Sequence, residues 1–499
     1  MSALGDRDLA VFWHPCSQMR DYLDFPPLEI VAARGARLVL ADGRELLDAI
    51  SSWWCKSLGH GHPGVRARIA AQLERFEHVI TANTTNAPLV ELCERLLRMA
   101  NGAPPAAWGA GGAAPVEAAA GAGHFGKVFL ADNGSTAVEI ALKMALQAQA
   151  QGGHPERTGL ASLAGGYHGE TAATLSVGDL GLYADPYRAL MVPVTKLGPL
   201  PLRRGPEDPR WMDPDPEWAA IEAALAPVAA TLAAIVYEPV LQAAGGMRLY
   251  SPTLLTRLRR WADAHGVFLI ADEIAAGMGR LGPMLASHLA PEEAGAAPRA
   301  SGALPAGLLA PGARPDFVAL SKGLTAGFLP LSAVLTTNSV YGLFDGTWSE
   351  RRAFLHSNTY TGNALGVAAA LGALDAYAAE DIPTRVVAAG ARMRAGLAEV
   401  VSARHTLGGL RGLGMVAAVD LRGPAGAPLD PARRTGYAVY RAAVRRGALL
   451  RPLGDTLYLF PPLNSAAAEV DQMIAILAAS VDEVLGSPGT NGVDKARPI

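Results

Sequence analysis

Val267-Phe268-Leu269-Ile270-Ala271 is an unbroken apolar run that stops at Asp272-Glu273, and the pattern returns in Phe317-Val318-Ala319-Leu320, which stops at Ser321-Lys322. Short runs that are apolar on both faces and end in polar residues fit strands of a parallel sheet covered by helices. Around them the period changes. Leu254, Leu258 and Trp261 have helical spacing, and Val138, Ala141, Leu142 and Ala145 fall at i, i+3, i+4 and i+7 behind an apolar run at 127–131. Glu139 and Lys143 add an i,i+4 pair to that helix. Two more runs, 160–163 and 233–236, the second ending at Glu238-Pro239, continue the alternation. The expectation is an α/β fold whose large domain has a mostly parallel central sheet flanked by helices. In such sheets ligands gather at the carboxyl ends of the strands, where Asp272 and Lys322 stand.

Working outward, the chain has 499 residues, 43 Lys plus Arg and 46 Asp plus Glu, for a formal charge of -3. That length allows two or three domains and a core that needs no staples, and the balanced charge argues against a nucleic-acid partner. Three scattered cysteines, Cys16, Cys55 and Cys93, make neither a disulfide framework nor a four-cysteine metal site, and fit a reducing cytoplasm. No apolar signal precedes Asp6, Arg7 and Asp8. The longest apolar candidate for a membrane span, 223–237, is interrupted by Pro227 and Thr231 and falls short of roughly 18 residues. Stretches 104–123, 202–216 and 291–314 are rich in Ala, Gly, Pro or charge and read as surface loops. After about residue 346 long helices alternate with short strands, near 414–420 and 456–460. We therefore divide the chain into 1–75, contributing to a small domain, 76–345, the large domain, 346–486, the rest of the small α/β domain, and a disordered tail at 487–499.

Three features carry chemistry together. Asp272, taken alone, is a strand-end acid or a helix cap; beside a pyridine ring it is the carboxylate that keeps the ring nitrogen protonated. Lys322 alone is a solvated strand end. Desolvated between strands and followed by Gly323-Leu324-Thr325-Ala326-Gly327, it is an amine of lowered pKa that can form a Schiff base and shuttle a proton. Asn133-Gly134-Ser135-Thr136 puts small residues and hydroxyls at a helix N-terminus, where a phosphate binds; an ordinary cap is the alternative. Tyr167, in Gly166-Tyr167-His168-Gly169, is either a turn residue or a ring that stacks on a planar cofactor. Trp53-Trp54 is core or one wall of an apolar channel, and Arg451, ahead of a strand carrying Tyr458, is a structural ion pair or a carboxylate clamp.

Other motifs mislead. Gly121-Ala122-Gly123-His124-Phe125-Gly126 matches the dinucleotide fingerprint but precedes a strand, and Gly277-Met278-Gly279-Arg280-Leu281-Gly282 lacks a second acid-ending strand after it. His60 and His62 sit near Cys55 without further ligands and read as turn residues, so no metal is expected.

Taken in order, the phosphate loop, Gly166-Tyr167-His168-Gly169-Glu170, Asp272-Glu273, Gly277 to Gly282 and Ser321-Lys322-Gly323 resemble the class III pyridoxal phosphate (PLP)-dependent aminotransferases, from about residue 12 to residue 480. Trp13-His14-Pro15, Ser51-Ser52-Trp53-Trp54, Tyr360-Thr361-Gly362-Asn363, Arg451-Pro452-Leu453-Gly454 and Pro461-Pro462 place the likeness in the branch that aminates 8-amino-7-oxononanoate (KAPA) to 7,8-diaminononanoate for biotin biosynthesis. The resemblance implies a fold type I homodimer with active sites at the subunit interface and a smaller α/β domain built from both chain ends. It implies Lys322 as the lysine bonded to PLP, Asp272 at the ring nitrogen, Tyr167 on the ring face, and Gly134 and Ser135 at the phosphate. Asn358 and Thr359 would complete that phosphate site from the other subunit. Trp53, Trp54, Tyr167, Ser357, Arg451 and Tyr458 would line the substrate pocket, with Arg451 on the acceptor carboxylate. S-adenosylmethionine is the implied donor, on the strength of the tryptophan pair. Lysine in that role, a generic ω-aminotransferase using pyruvate, and a non-catalytic PLP-binding protein are the alternatives. Two departures bear on substrate: Cys16 stands where many members have tyrosine, and Ser357-Asn358-Thr359 where some have Gly-Pro-Thr.

Overall fold

The computed structural model describes residues 2–109, 124–291 and 313–486. Its centre is a seven-stranded sheet in the order Phe125–Ala131, Ser332–Thr337, Phe317–Leu320, Phe268–Asp272, Leu232–Tyr237, Gly159–Leu163, Thr195–Leu197. Ser332–Thr337 runs antiparallel to both its neighbours, while the Phe317, Phe268, Leu232, Gly159 and Thr195 strands are mutually parallel. Every residue of Leu232–Tyr237, Phe317–Leu320 and Ser332–Thr337 is buried, and in the first two the runs are accordingly apolar rather than alternating.

Helices form where the sequence gives caps. Asn133 Oδ1 accepts the Thr136 N–H at 3.0 Å and starts Gly134–Gln151, four residues before Val138, where the apolar spacing begins. Gly266, at φ 66°, ends Thr253–His265 in the left-handed conformation that favours glycine. Ala364–Ala379 is mostly small and apolar because it is mostly buried; a Cβ on its Gly372 would lie 2.9 Å from Val65 Cα of the Pro63–Leu73 helix.

Both chain ends meet in a second sheet. Glu45–Asp48 pairs antiparallel with Arg37–Leu40 and parallel with Ala448–Leu449. A third sheet, Leu407–Leu413, Val416–Leu421 and Thr456–Leu459, is covered by Ile382–Ser402, against which Ala467–Leu485 packs. Two buried arginines join these parts to the large sheet's domain. Arg280 donates to the carbonyls of Met415 (3.1 Å) and Pro461 (2.6 Å), and Arg411 to those of Gly246 (2.6 Å) and Met247 (3.0 Å).

One loop expectation needs correcting. Stretch 202–216 has no regular element until its last two residues, yet it is not a loose surface loop. Arg203 within it is fully buried, donates to Glu217 at 2.9 Å and to the Arg210 and Asp213 carbonyls, and Trp211 joins the core. A buried guanidinium has to be paired, so the stretch folds around it. Of 104–123, residues Pro105–Trp108 form a helical turn with Trp108 buried. The readings for 110–123, 292–312 and the tail at 487–499 lie outside the described residues. Among the described residues, no helix is long and apolar enough to cross a membrane.

Candidate active site

The carboxyl ends of adjacent strands converge on the Gly134–Gln151 helix N-terminus. Asp272, the last residue of its strand, is buried; its Oδ2 lies 2.8 Å from His168 Nδ1 and its Oδ1 accepts the Ile274 N–H at 3.1 Å. Beside an ionised carboxylate, which only accepts, His168 Nδ1 is the donor. Glu238, just past the Leu232–Tyr237 strand, accepts the N–H groups of Tyr167 (3.0 Å) and Ala243 (3.0 Å). Burial pushes its pKa up to about 7 despite those bonds. Together His168 and Glu238 fix the turn that carries Tyr167.

That turn also touches the phosphate loop. Gly169 sits at φ 122°, and a Cβ there would fall 2.2 Å from Ser135 Oγ; a Cβ on Gly134 would fall 2.8 Å from Ile274 Cδ1. Because Asn133 caps Thr136, the N–H groups of Gly134 and Ser135 are left for an anion at the positive end of the helix.

Lys322 leaves its strand at φ 41° and begins a short turn. Ser321 Oγ donates to the Leu331 carbonyl (2.9 Å) and Tyr377 Oη to the Gly323 carbonyl (2.6 Å), so the backbone on both sides of the lysine is held. Burial lowers the Lys322 pKa, with the charges of Asp272 and Glu238 opposing that shift. Among the described residues its Nζ makes no hydrogen bond or ion pair, and it lies 5.2 Å from the Trp54 ring centroid. An unpartnered amine, a buried carboxylate and two free N–H groups at a helix N-terminus are the three attachments PLP requires, so these residues fit it.

A cavity of about 530 Å³ opens beside this cluster, lined by Trp53, Trp54, Tyr167, Tyr183, Arg451 and Tyr458, with Cys16 and Glu170 at its wall. Trp53 and Trp54 enter it from a left-handed turn: Ser51, Ser52, Trp53 and Trp54 have φ of 50°, 45°, 70° and 71°. Each such non-glycine residue costs about 1–2 kcal/mol. The return is placement of both indoles. Arg451 Cζ lies 4.2 Å from the Trp53 ring centroid, and Trp54 Nε1 donates to Tyr458 Oη at 3.1 Å. Arg451 also donates to the Cys16 carbonyl at 2.8 Å, a bond independent of the side chain at position 16. Tyr167 Oη donates to Glu170 at 2.9 Å, and the Tyr183 ring packs edge-on against Tyr167 at 5.8 Å.

The structure thus brings together Gly134, Ser135, Asp272 and Lys322 at one end, Trp53, Trp54, Arg451 and Tyr458 at the other, and Tyr167 between. Ser357, Asn358 and Thr359 do not line the cavity of their own chain, and Ser357 and Thr359 are exposed. The turn histidines have separate partners: His60 pairs with Asp48 at 2.9 Å and His62 with Glu380 at 2.8 Å. Sequence reasoning missed Tyr183 and the roles of His168 and Glu238. The adjacency of His168 to Tyr167, and of Glu238 to a strand end, were the available signals.

A mostly parallel seven-stranded sheet with a lysine and an aspartate at the ends of neighbouring strands, facing a helix N-terminus, defines a PLP-dependent transferase. The class III aminotransferase family model matches residues 19–481, and the chain belongs to that family. It is an aminotransferase, and PLP is its cofactor. Among its relatives are adenosylmethionine-8-amino-7-oxononanoate aminotransferases of Synechococcus elongatus, 37% identical over 95% of this chain and 98% of the relative, and of Helicobacter pylori, 33% identical over 96% and 98%. A solved structure of that aminotransferase from Methanocaldococcus jannaschii superposes with a TM-score of 0.83 at 27% identity, covering 96% of this chain and 99% of the other. A PLP-bound amine transaminase from an uncultivated Pseudomonas species gives 0.80 at 32% identity, covering 95% and 99%.

Proposed function

We propose that the protein transfers an amino group to the ketone of KAPA, giving 7,8-diaminononanoate for biotin biosynthesis, with S-adenosylmethionine as donor. The observation that carries this reading is the cavity's polarity along its length. A guanidinium held by Trp53 and the Cys16 carbonyl stands at one end, the Lys322 amine lies past Trp54 at the other, and aromatic surface runs between them. An acceptor with a carboxylate, an apolar chain and a ketone fits that order.

When bound, PLP supplies an electron sink that acidifies the C–H bond beside the substrate nitrogen. The chain does the rest. The N–H groups of Gly134 and Ser135 would hold the phosphate and Asp272 would hold the proton on the ring nitrogen, while His168 fixes the direction of that carboxylate. Tyr167 would cover one ring face. Lys322, whose pKa burial lowers, would take the proton from the donor carbon and return one to the acceptor carbon. Arg451 orients the acceptor through its carboxylate.

The same reading makes the protein a homodimer, with the partner subunit's Asn358 and the partner subunit's Thr359 completing the phosphate site. Two observations support it. Within one chain these residues stand away from the cavity, and the segment around them exposes large apolar side chains, Trp348 (88%), Leu355 (82%) and Tyr360. The test of the reaction is a single turnover. Protein loaded with pyridoxamine phosphate is mixed with KAPA, and the absorbance of PLP bonded to Lys322 is followed. Rapid return is expected. No return with KAPA, but return with pyruvate or succinic semialdehyde, would assign a generic ω-aminotransferase instead, and substituting lysine for S-adenosylmethionine in the opposite half-reaction tests the donor.

A further inference from the structure

We propose that Asp48, oriented by His60, is a positioning residue for the substrate pocket: it holds Ser51 to Trp54 in their left-handed turn and thereby sets where both indoles stand. This rests on the reading that the cavity between Trp53, Tyr167 and Arg451 binds substrate.

The Asp48 carboxylate is fully buried and all its bonds go to the turn or to the histidine. Its Oδ1 accepts the Ser52 N–H at 2.9 Å; its Oδ2 accepts the Ser52 hydroxyl at 2.7 Å and faces His60 Nε2 at 2.9 Å. Both anchors are rigid. Asp48 ends a strand paired on either side, and its own N–H donates to the Ala36 carbonyl at 2.7 Å. His60 exchanges two backbone hydrogen bonds with Gly35, at 2.8 and 2.9 Å, and a Cβ on Gly59 would lie 2.7 Å from the Gly35 carbonyl oxygen, so the two chains cannot slide.

What these anchors restrain is strained. Four successive non-glycine residues at positive φ revert toward the right-handed region unless something opposes them. Reversal would swing both indoles: Trp53 off the Arg451 guanidinium, and Trp54 off Tyr458 and Lys322. Asp48 does not line the cavity, so it acts on substrate only through the turn. A second prop, Ser51 Oγ on the Phe460 carbonyl at 2.7 Å, holds the start of the turn but not its middle.

The test compares Asp48→Ala with Asp48→Ala/Ser52→Gly, because glycine adopts the left-handed conformation without a prop. In PLP-loaded protein, Asp48→Ala is expected to keep its far-ultraviolet circular dichroism and its covalent PLP. It should lose the near-ultraviolet signal of the indole pair, and kcat/KM should fall about 30-fold, mostly through KM. Adding Ser52→Gly should recover at least about fivefold. A kcat/KM within about twofold of wild type for Asp48→Ala, or a loss that Ser52→Gly leaves unrelieved, overturns the proposal. Should Asp48→Ala fail to fold, His60→Gln, which keeps an N–H donor within reach, is expected to behave as wild type and His60→Ala to raise KM; equal behaviour of the two overturns it. Turnover is measured with whichever amine and ketone the wild type uses. A wild type inert to KAPA therefore refutes the proposed reaction while the indole signal still decides the role of Asp48.

Discussion

At the scale of single residues, Arg451 is the group whose change separates the two substrates. Among the described residues its guanidinium is fixed by the Trp53 face and the Cys16 carbonyl and by no carboxylate, so a charge is left over for ligand. Arg451→Ala is expected to raise KM for KAPA by about 100-fold while the donor half-reaction changes less than about threefold, as rapid mixing of each half-reaction will show. A second residue prediction concerns stability. Burial pushes the Glu273 carboxyl from an ordinary 4.5 up to about 7, although it accepts the Ala286 and Ser287 N–H groups. Between those two pH values the folded protein keeps a proton that the unfolded chain has released, so this residue's contribution is full below about 4.5 and is lost as pH rises through 7. The loss amounts to about 3 kcal/mol. Glu238 acts in the same direction. Urea midpoints of the apoprotein should fall from pH 5 to pH 8, and Glu273→Gln should flatten that slope; an unchanged slope would place the titration elsewhere. Asp272 and Lys322 were legible in the sequence because each ends an apolar run. His168 and Glu238 were not, because their meaning depends on strands far apart in sequence ending side by side.

At the scale of elements, the site is an agreement between two turns. The Gly166 to Gly169 turn and the start of the Gly134–Gln151 helix approach so closely that Ser135 Oγ occupies the space a Gly169 Cβ would need, and Gly169 is also at φ 122°. Gly169→Ala is therefore expected to push the phosphate loop away from its anion position and weaken PLP binding by more than about tenfold, with Lys322 still in place. Equilibrium dialysis of PLP against the apoprotein checks this, and unaltered affinity would show that the loop yields at no cost. Apolar runs located five of the seven strands to within two residues, since burial on both faces writes itself into composition, whereas Ser332–Thr337, with its three hydroxyl residues, and the three-residue Thr195–Leu197 carry no such run. The left-handed Ser51 to Trp54 turn could not be read that way. None of its residues is glycine, and its hand is imposed by Asp48, by His60 and by the Phe460 carbonyl. Stretch 202–216 misled for a related reason: charge and proline suggest solvent, but Arg203 finds Glu217 only once the chain has folded.

At the scale of the whole molecule, the chain ends close one sheet through Glu45–Asp48 and Ala448–Leu449, so the pocket's tryptophans and its arginine ride on a single unit although about 400 residues separate them. The proposed phosphate site adds a further level, because it draws on residues from two chains, and hybrid dimers test that directly. Lys322→Ala abolishes turnover in its own site, since both the bond to PLP and the proton transfer need that amine. An Asn358→Ala/Thr359→Ala variant should lose PLP affinity in the site it completes. If that site belongs to the opposite subunit, a hybrid of the two variants has one site with both defects and one with neither. Equal co-expression makes half the dimers hybrids, so about a quarter of all sites regain wild-type character and about a quarter of wild-type activity returns from two inactive parents. If Asn358 and Thr359 served their own chain's site, every site in every dimer would carry one defect, and no activity would return at any mixing ratio. The outcome is insensitive to which amine or ketone is used. It thus measures the architecture of the site independently of the proposed substrate, and a null result from parents that remain dimeric by sedimentation would confine each active site to one subunit.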